Sequence, residues 1–132
     1  MTTASKTPTK RTIVLAALID VIAVIVFTAI GRSSHAEALD LAGFSVTLWP
    51  FLAGTIIGWT LSRSWRAPLR IWPNSVLIWA NTVVFGMFFR ALSGQGVQLS
   101  FVIVASIATG ILLIGWRLVA LIVGRVLAKR RG

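Results

Sequence analysis

Four long apolar stretches, separated by short polar or basic segments, set the pattern of this chain. They run over residues 12–30, 46–61, from Asn74 and Ser75 to residue 89, and over 99–124. Each is close to the roughly 20 residues that a helix needs to cross the hydrocarbon core of a bilayer. A segment in lipid must satisfy its backbone hydrogen bonds internally, so the stretches predict four transmembrane helices. The expected fold is all-α: a polytopic membrane protein built as a four-helix bundle. Little chain remains for a separate soluble domain. The organisation read from the pattern is a basic tail over 1–11, a membrane domain over 12–124 and a second basic tail over 125–132.

Punctuation residues refine these spans. Gly31 stands where the first helix is expected to stop. Residues 31–45 then form the longest loop, with enough apolar residues for a short helix lying at the interface. Trp49 is placed as an interfacial anchor, and Pro50 is expected in the first turn of the second helix, where no intrahelical donor is needed. Pro68 and Pro73 end the loop that follows, and Asn74 or Ser75 is expected to cap the third helix. Arg90 closes that helix, and residues 93–96 make a tight turn.

Composition sharpens the membrane reading. The 132 residues are 57% hydrophobic and 12% charged, against about 25% charged in soluble domains. The net charge of +10 would point to nucleic acid in a soluble protein. Here the basic residues flank apolar spans, where they orient the protein and meet anionic lipid headgroups, so no nucleic-acid partner is expected. With the N-terminus inside, the cytoplasmic side holds Lys6, Lys10, Arg11, Arg63, Arg66, Arg70, Arg125, Lys129, Arg130 and Arg131, and the outer side only Arg32 and Arg90. Ten against two predicts that both termini are cytoplasmic. The first apolar run exceeds the roughly 7–15 residues of a signal-peptide core, so it is read as a retained helix despite the small-x-small triplet Ala36, Glu37, Ala38.

Candidate chemistry is sparse. No cysteine is present, and one histidine with three acids supplies no convincing metal site, so neither metal nor cofactor is expected. Asp20 is the most informative residue, because it lies about 12 Å into the first span. A carboxylate at that depth faces the protein interior, either as a structural pair or as a proton or cation site. In the structural case an amide could replace it. Arg117 in the fourth span is its candidate partner, unless it snorkels to the inner headgroups, and a polar group such as Asn81 or Thr82 is the alternative. Asn81, near the middle of the third span, needs a partner of its own, and Thr82, Gly86 and Arg90 form a stripe beside it.

Pro50, Gly54, Gly58 and Ser62 recur every fourth residue. Gly54 and Gly58 form a GxxxG motif, which marks a helix-packing face without saying whether the partner is this chain or a second copy. Arg32, His35 and Arg90 belong to one outer face and are expected close together. They either hold an anionic headgroup or acidic solute, or are neutralised by Glu37 and Asp40.

Taken together, Asp20, the run Gly31, Arg32, Ser33, Ser34, His35, Ala36, Glu37, the run Trp49, Pro50, Phe51, Leu52 with Gly54, Gly58 and Trp59, and Gly115, Trp116, Arg117 resemble the domain of unknown function 3054 family. That family comprises small bacterial membrane proteins, chiefly of actinobacteria, and the resemblance covers roughly residues 13–118. It implies a bacterial inner-membrane location and draws attention to Arg32, His35, Trp59 and Arg90, but it assigns them no role. The expected function is non-enzymatic: an accessory or scaffold protein acting through helix packing, with a membrane-protein partner or a second copy of itself. The alternatives are a small oligomeric transporter or channel using Asp20, and a lipid-modifying enzyme using Arg32, His35 and Arg90.

Overall fold

The computed structural model describes residues 7–34 and 41–131. Among them the chain forms four α-helices: α1 (Lys10–Ser34), α2 (Leu41–Ser62), α3 (Val76–Leu92) and α4 (Leu99–Arg131). All four, with the turn that leads into α3, are long and apolar enough to cross a membrane.

The helix ends depart from the expected ones for local reasons. α1 begins at Lys10 because Thr9 caps it: the Thr12 amide donates to Thr9 Oγ1 at 3.1 Å, which satisfies one of the orphan donors of the first turn. It continues past Gly31 to Ser34. A glycine inside a helix costs only about 1 kcal/mol relative to alanine, too little to stop it. α2 starts at Leu41, so residues 41–45 belong to the second helix and not to a loop. The hydroxyls at this end of α2 are satisfied within the helix, Ser45 Oγ donating to Leu41 O at 2.8 Å and Thr47 Oγ1 to Gly43 O at 3.2 Å. The basic segment from Arg125 continues α4 as helix through Arg131.

The early start of α2 moves Pro50 from a first turn to a helix interior. A proline there leaves the carbonyl four residues back without its amide donor. That carbonyl belongs to Val46, and Gln95 replaces the missing donor, its Nε2 reaching Val46 O at 3.1 Å. The α3–α4 turn therefore repairs α2.

Contacts along the helices give an antiparallel order throughout. Arg32 and Asp20 of α1 bond Thr47 and Trp59 of α2. Gly54 and Gly58 of α2 lie on Thr82 and Ile78 of α3. Ser75 and Trp79 bond the carbonyls of Leu113 and Ser106 in α4. Each helix packs on two neighbours, in the cyclic order α1, α2, α3, α4. The interior is filled by Val24, Phe27, Phe51, Ile78, Ala105 and Leu113, with Phe27 edge-on to Phe51 at 5.0 Å.

The closest approach joins α2 and α3. A Cβ added at Gly54 would stand 2.7 Å from Asn81 O and 2.9 Å from the Thr82 Cα, and one at Gly58 would stand 2.8 Å from the Ile78 Cα. All three are backbone atoms, so only glycine permits this spacing. The GxxxG partner is thus within this chain. Gly86 makes room in the other direction, for the Phe51 ring, which an added Cβ would meet at 2.6 Å. Between these glycines, Thr55 and Thr82 share a buried hydroxyl hydrogen bond of 2.8 Å.

The α2–α3 connection is held by polar side chains. Arg63 takes a positive φ of 51°, the left-handed conformation that commonly ends a helix. Asn74 Nδ2 donates to Ser62 O at 3.2 Å and to Ser64 Oγ at 3.3 Å. Ser75 Oγ donates to Leu113 O at 3.3 Å. Neither residue caps α3 as expected: Ser75 is already helical and makes no capping bond. Both instead tie the wide turn Ile71–Ser75, with its cis Trp72–Pro73 peptide, to the rest of the molecule.

Candidate functional sites at the two ends of the helices

At the end where α1 begins and α4 finishes, α1, α2 and α4 converge on Asp20. Its Oδ1 accepts from Arg117 Nη1 at 2.8 Å and from Trp116 Nε1 at 2.8 Å. Its Oδ2 accepts from Arg117 Nη2 at 2.7 Å and from Trp59 Nε1 at 2.7 Å. The arginine pairing is bidentate, the strongest geometry for this pair. Arg117 also donates through Nε to Pro68 O at 2.8 Å and through Nη1 to Leu113 O at 3.0 Å. Its guanidinium carbon lies 4.5 Å from the Trp116 ring centre. Both charged side chains are 0% exposed. Among the described residues, no buried side-chain nitrogen or oxygen lacks a partner.

This arrangement ties four parts of the chain together: α1, α2, α4 and the loop carbonyl of Pro68. Arg117 does not snorkel, because its side chain is consumed inside the protein. Asn81 and Thr82 are not partners of Asp20. Asn81 Nδ2 bonds Leu77 O of its own helix at 2.8 Å, and Thr82 bonds Thr55. An amide at position 20 would also be a poor replacement, because every direction around the carboxylate is occupied by a donor. Trp59 and Trp116 are the participants that the charge pattern alone does not reveal. The available signal is chemical: an indole N–H is a donor without charge, suited to the apolar surroundings of a deep carboxylate.

At the opposite end, Arg32 and Arg90 line one half-open cavity of about 500 Å³. Arg32 Nη1 donates to Thr47 Oγ1 at 2.8 Å. Arg90 spans the α3–α4 turn, its Nε and Nη2 reaching Gly96 O at 3.1 and 2.9 Å and its Nη1 reaching Gln95 Oε1 at 3.0 Å. Its guanidinium carbon stands 4.3 Å from the Phe101 ring centre. Arginine on an aromatic face gains both cation–π attraction and a fixed orientation. His35, Glu37 and Asp40 lie outside the described residues.

The fold is therefore that of an all-α protein with four helices able to cross a membrane. The family model described as Protein of unknown function (DUF3054) matches residues 17–120, and the chain belongs to that family. No curated protein and no solved structure gives a significant match.

Proposed function

We propose that this chain is a non-enzymatic accessory or scaffold protein of a bacterial inner membrane, with both termini in the cytoplasm. The observation that carries the reading is the saturation of Asp20. A carboxylate that takes up and releases protons along a path needs access and a vacancy in its hydrogen bonding. Asp20 is 0% exposed and receives four donors, two of them from Arg117. Releasing it would leave a buried arginine without its counter-charge, a change worth about 3–5 kcal/mol in other buried pairs. Such a group holds helices in register and does not carry cargo. The glycine contacts of α2 with α3 support the same reading, since they spend the obvious packing motif inside the chain. A partner would then meet the apolar outer faces, such as that of α4, where Ile103, Ile107 and Ile111 are all more than half exposed.

The test is purification of the full chain in mild detergent, with identification of co-purifying membrane proteins, beside a flux assay in proteoliposomes. A stoichiometric protein partner and no pH-driven flux is the expected result. Uptake driven by a proton gradient in vesicles holding this chain alone would overturn the reading.

A further inference from the structure

The cavity beside Arg32 and Arg90 lies at the opposite end from Asp20, so what it does is a separate matter from the scaffold reading. Arg32, Arg90, Thr47 and Gln95 are among its polar lining residues. Phe27 of the core and Phe101, packed against it and lying under the Arg90 guanidinium, are among its apolar lining residues. At the rim stand Val46 and Val104, which are 52% and 60% exposed. Their outward faces continue the apolar surface of α2 and α4. The cavity thus combines basic and aromatic side chains with exposed valines that suit a hydrocarbon surface.

These features select a ligand class. Guanidinium groups match tetrahedral oxyanions through paired N–H donors, and both arginines are held in place by aromatic or hydrogen-bonding neighbours. A volume of about 500 Å³ is within the ~300–1,000 Å³ range of sites for small organic molecules, and larger than a bare phosphate requires. The apolar rim calls for a ligand whose anion is attached to hydrocarbon. We propose that this cavity holds the phosphate group of an anionic phospholipid, with Arg32 and Arg90 on the phosphate and the acyl region leaving past Val46 and Val104.

Gly31 makes the site testable without touching either arginine. It lines the cavity, and a Cβ added to it would meet nothing within 4 Å. Gly31→Leu therefore starts from an uncrowded Cβ and adds bulk at the cavity lining. Arg90→Gln alone is a weaker probe, because Arg90 also holds the α3–α4 turn.

The experiment is native mass spectrometry of the full, delipidated chain in detergent. Phosphatidylglycerol is the probe, phosphatidylcholine the neutral reference, and inorganic phosphate the free-anion control. The unaltered protein should retain one phosphatidylglycerol in preference to phosphatidylcholine. Retention should weaken roughly tenfold or more in Arg32→Gln and Gly31→Leu, the scale of a lost charge-assisted hydrogen bond. Arg66→Gln, in the loop at the other end, should leave it unchanged. Equal retention of the two lipids, or undiminished phosphatidylglycerol in correctly folded Gly31→Leu, would overturn the proposal. Thermal protection by inorganic phosphate equal to that by the lipid would also overturn it, by showing a site for a free oxyanion.

Discussion

Asp20 shows how a single buried carboxylate is made tolerable. Each of its oxygens accepts one indole and one guanidinium hydrogen bond. Replacing either oxygen with an amide nitrogen would place a donor against two donors and remove the charge that Arg117 requires. Asp20→Asn is therefore expected to lose about 3–5 kcal/mol of stability, measured as a fall in the melting temperature of the helical signal in detergent. Trp116→Phe keeps the ring but deletes one bond to a charged acceptor, and should lose about 1.5–3 kcal/mol. Asp20→Leu combined with Arg117→Leu should recover much of the loss, since it removes both charges together. A double variant no more stable than Asp20→Asn would show that the pair contributes more than mutual neutralisation. The depth of Asp20 is legible in the sequence, and Arg117 is its natural partner by charge. The two tryptophans are not, because an indole at an interface and an indole bonded to a carboxylate have the same sequence signature.

Within the helices, Pro50 and Gln95 act as a pair separated by most of two helices. The proline removes a donor from α2, and the glutamine supplies one to the same carbonyl, Val46 O. Gln95→Leu should cost about 1 kcal/mol in the native background. With Pro50→Ala already present the helix restores its own bond, and the same substitution should cost less, only what the Gln95 bonds to Arg90 and Ser93 contribute. Equal effects in both backgrounds, measured by thermal melting, would mean that Gln95 acts through Arg90 instead. Gly54→Ala is a stricter case. Its Cβ would stand 2.7 Å from a backbone carbonyl of α3, and backbone atoms cannot rotate away. A loss of about 1–3 kcal/mol follows from such overpacking. No change of oligomeric state should accompany it, since the partner helix is in the same chain. The GxxxG spacing announces a packing face, but the partner depends on which helix the short α2–α3 connection folds back, and that is a tertiary fact. The proline misled for a related reason: its expected first-turn position assumed a loop through residue 45, where the hydroxyls of Ser45 and Thr47 in fact bond back into their own helix.

For the whole molecule, four apolar runs translate directly into four helices, because backbone satisfaction in lipid leaves no other option for such segments. The cavity was less legible. Arg32 and Arg90 are 58 positions apart in the numbering, and only the alternating order of the helices, in which α1 and α3 run in the same direction, places them at the same end. Orientation in the membrane follows from charge. The start of α1, the end of α4, the loop carrying Arg63, Arg66 and Arg70, and the buried pair of Asp20 and Arg117 all lie toward one end of the helices, and Arg32 and Arg90 toward the other. Arginine and lysine near helix ends resist translocation, so the end richer in them should remain cytoplasmic. Reporter fusions after Arg11, Gly43, Arg66, Gln95 and Gly132 should therefore read in, out, in, out, in. The α4 segment from Arg125 is helical through Arg131, and with that end inside, its basic residues would meet the anionic cytoplasmic surface. Neutralising Arg125, Lys129, Arg130 and Arg131 together should loosen that anchoring without inverting the protein, because Lys6, Lys10, Arg11 and the α2–α3 loop keep the bias. An outward reading at Gly132 in the native chain would defeat the orientation, and with it the placement of the cavity on the outer face.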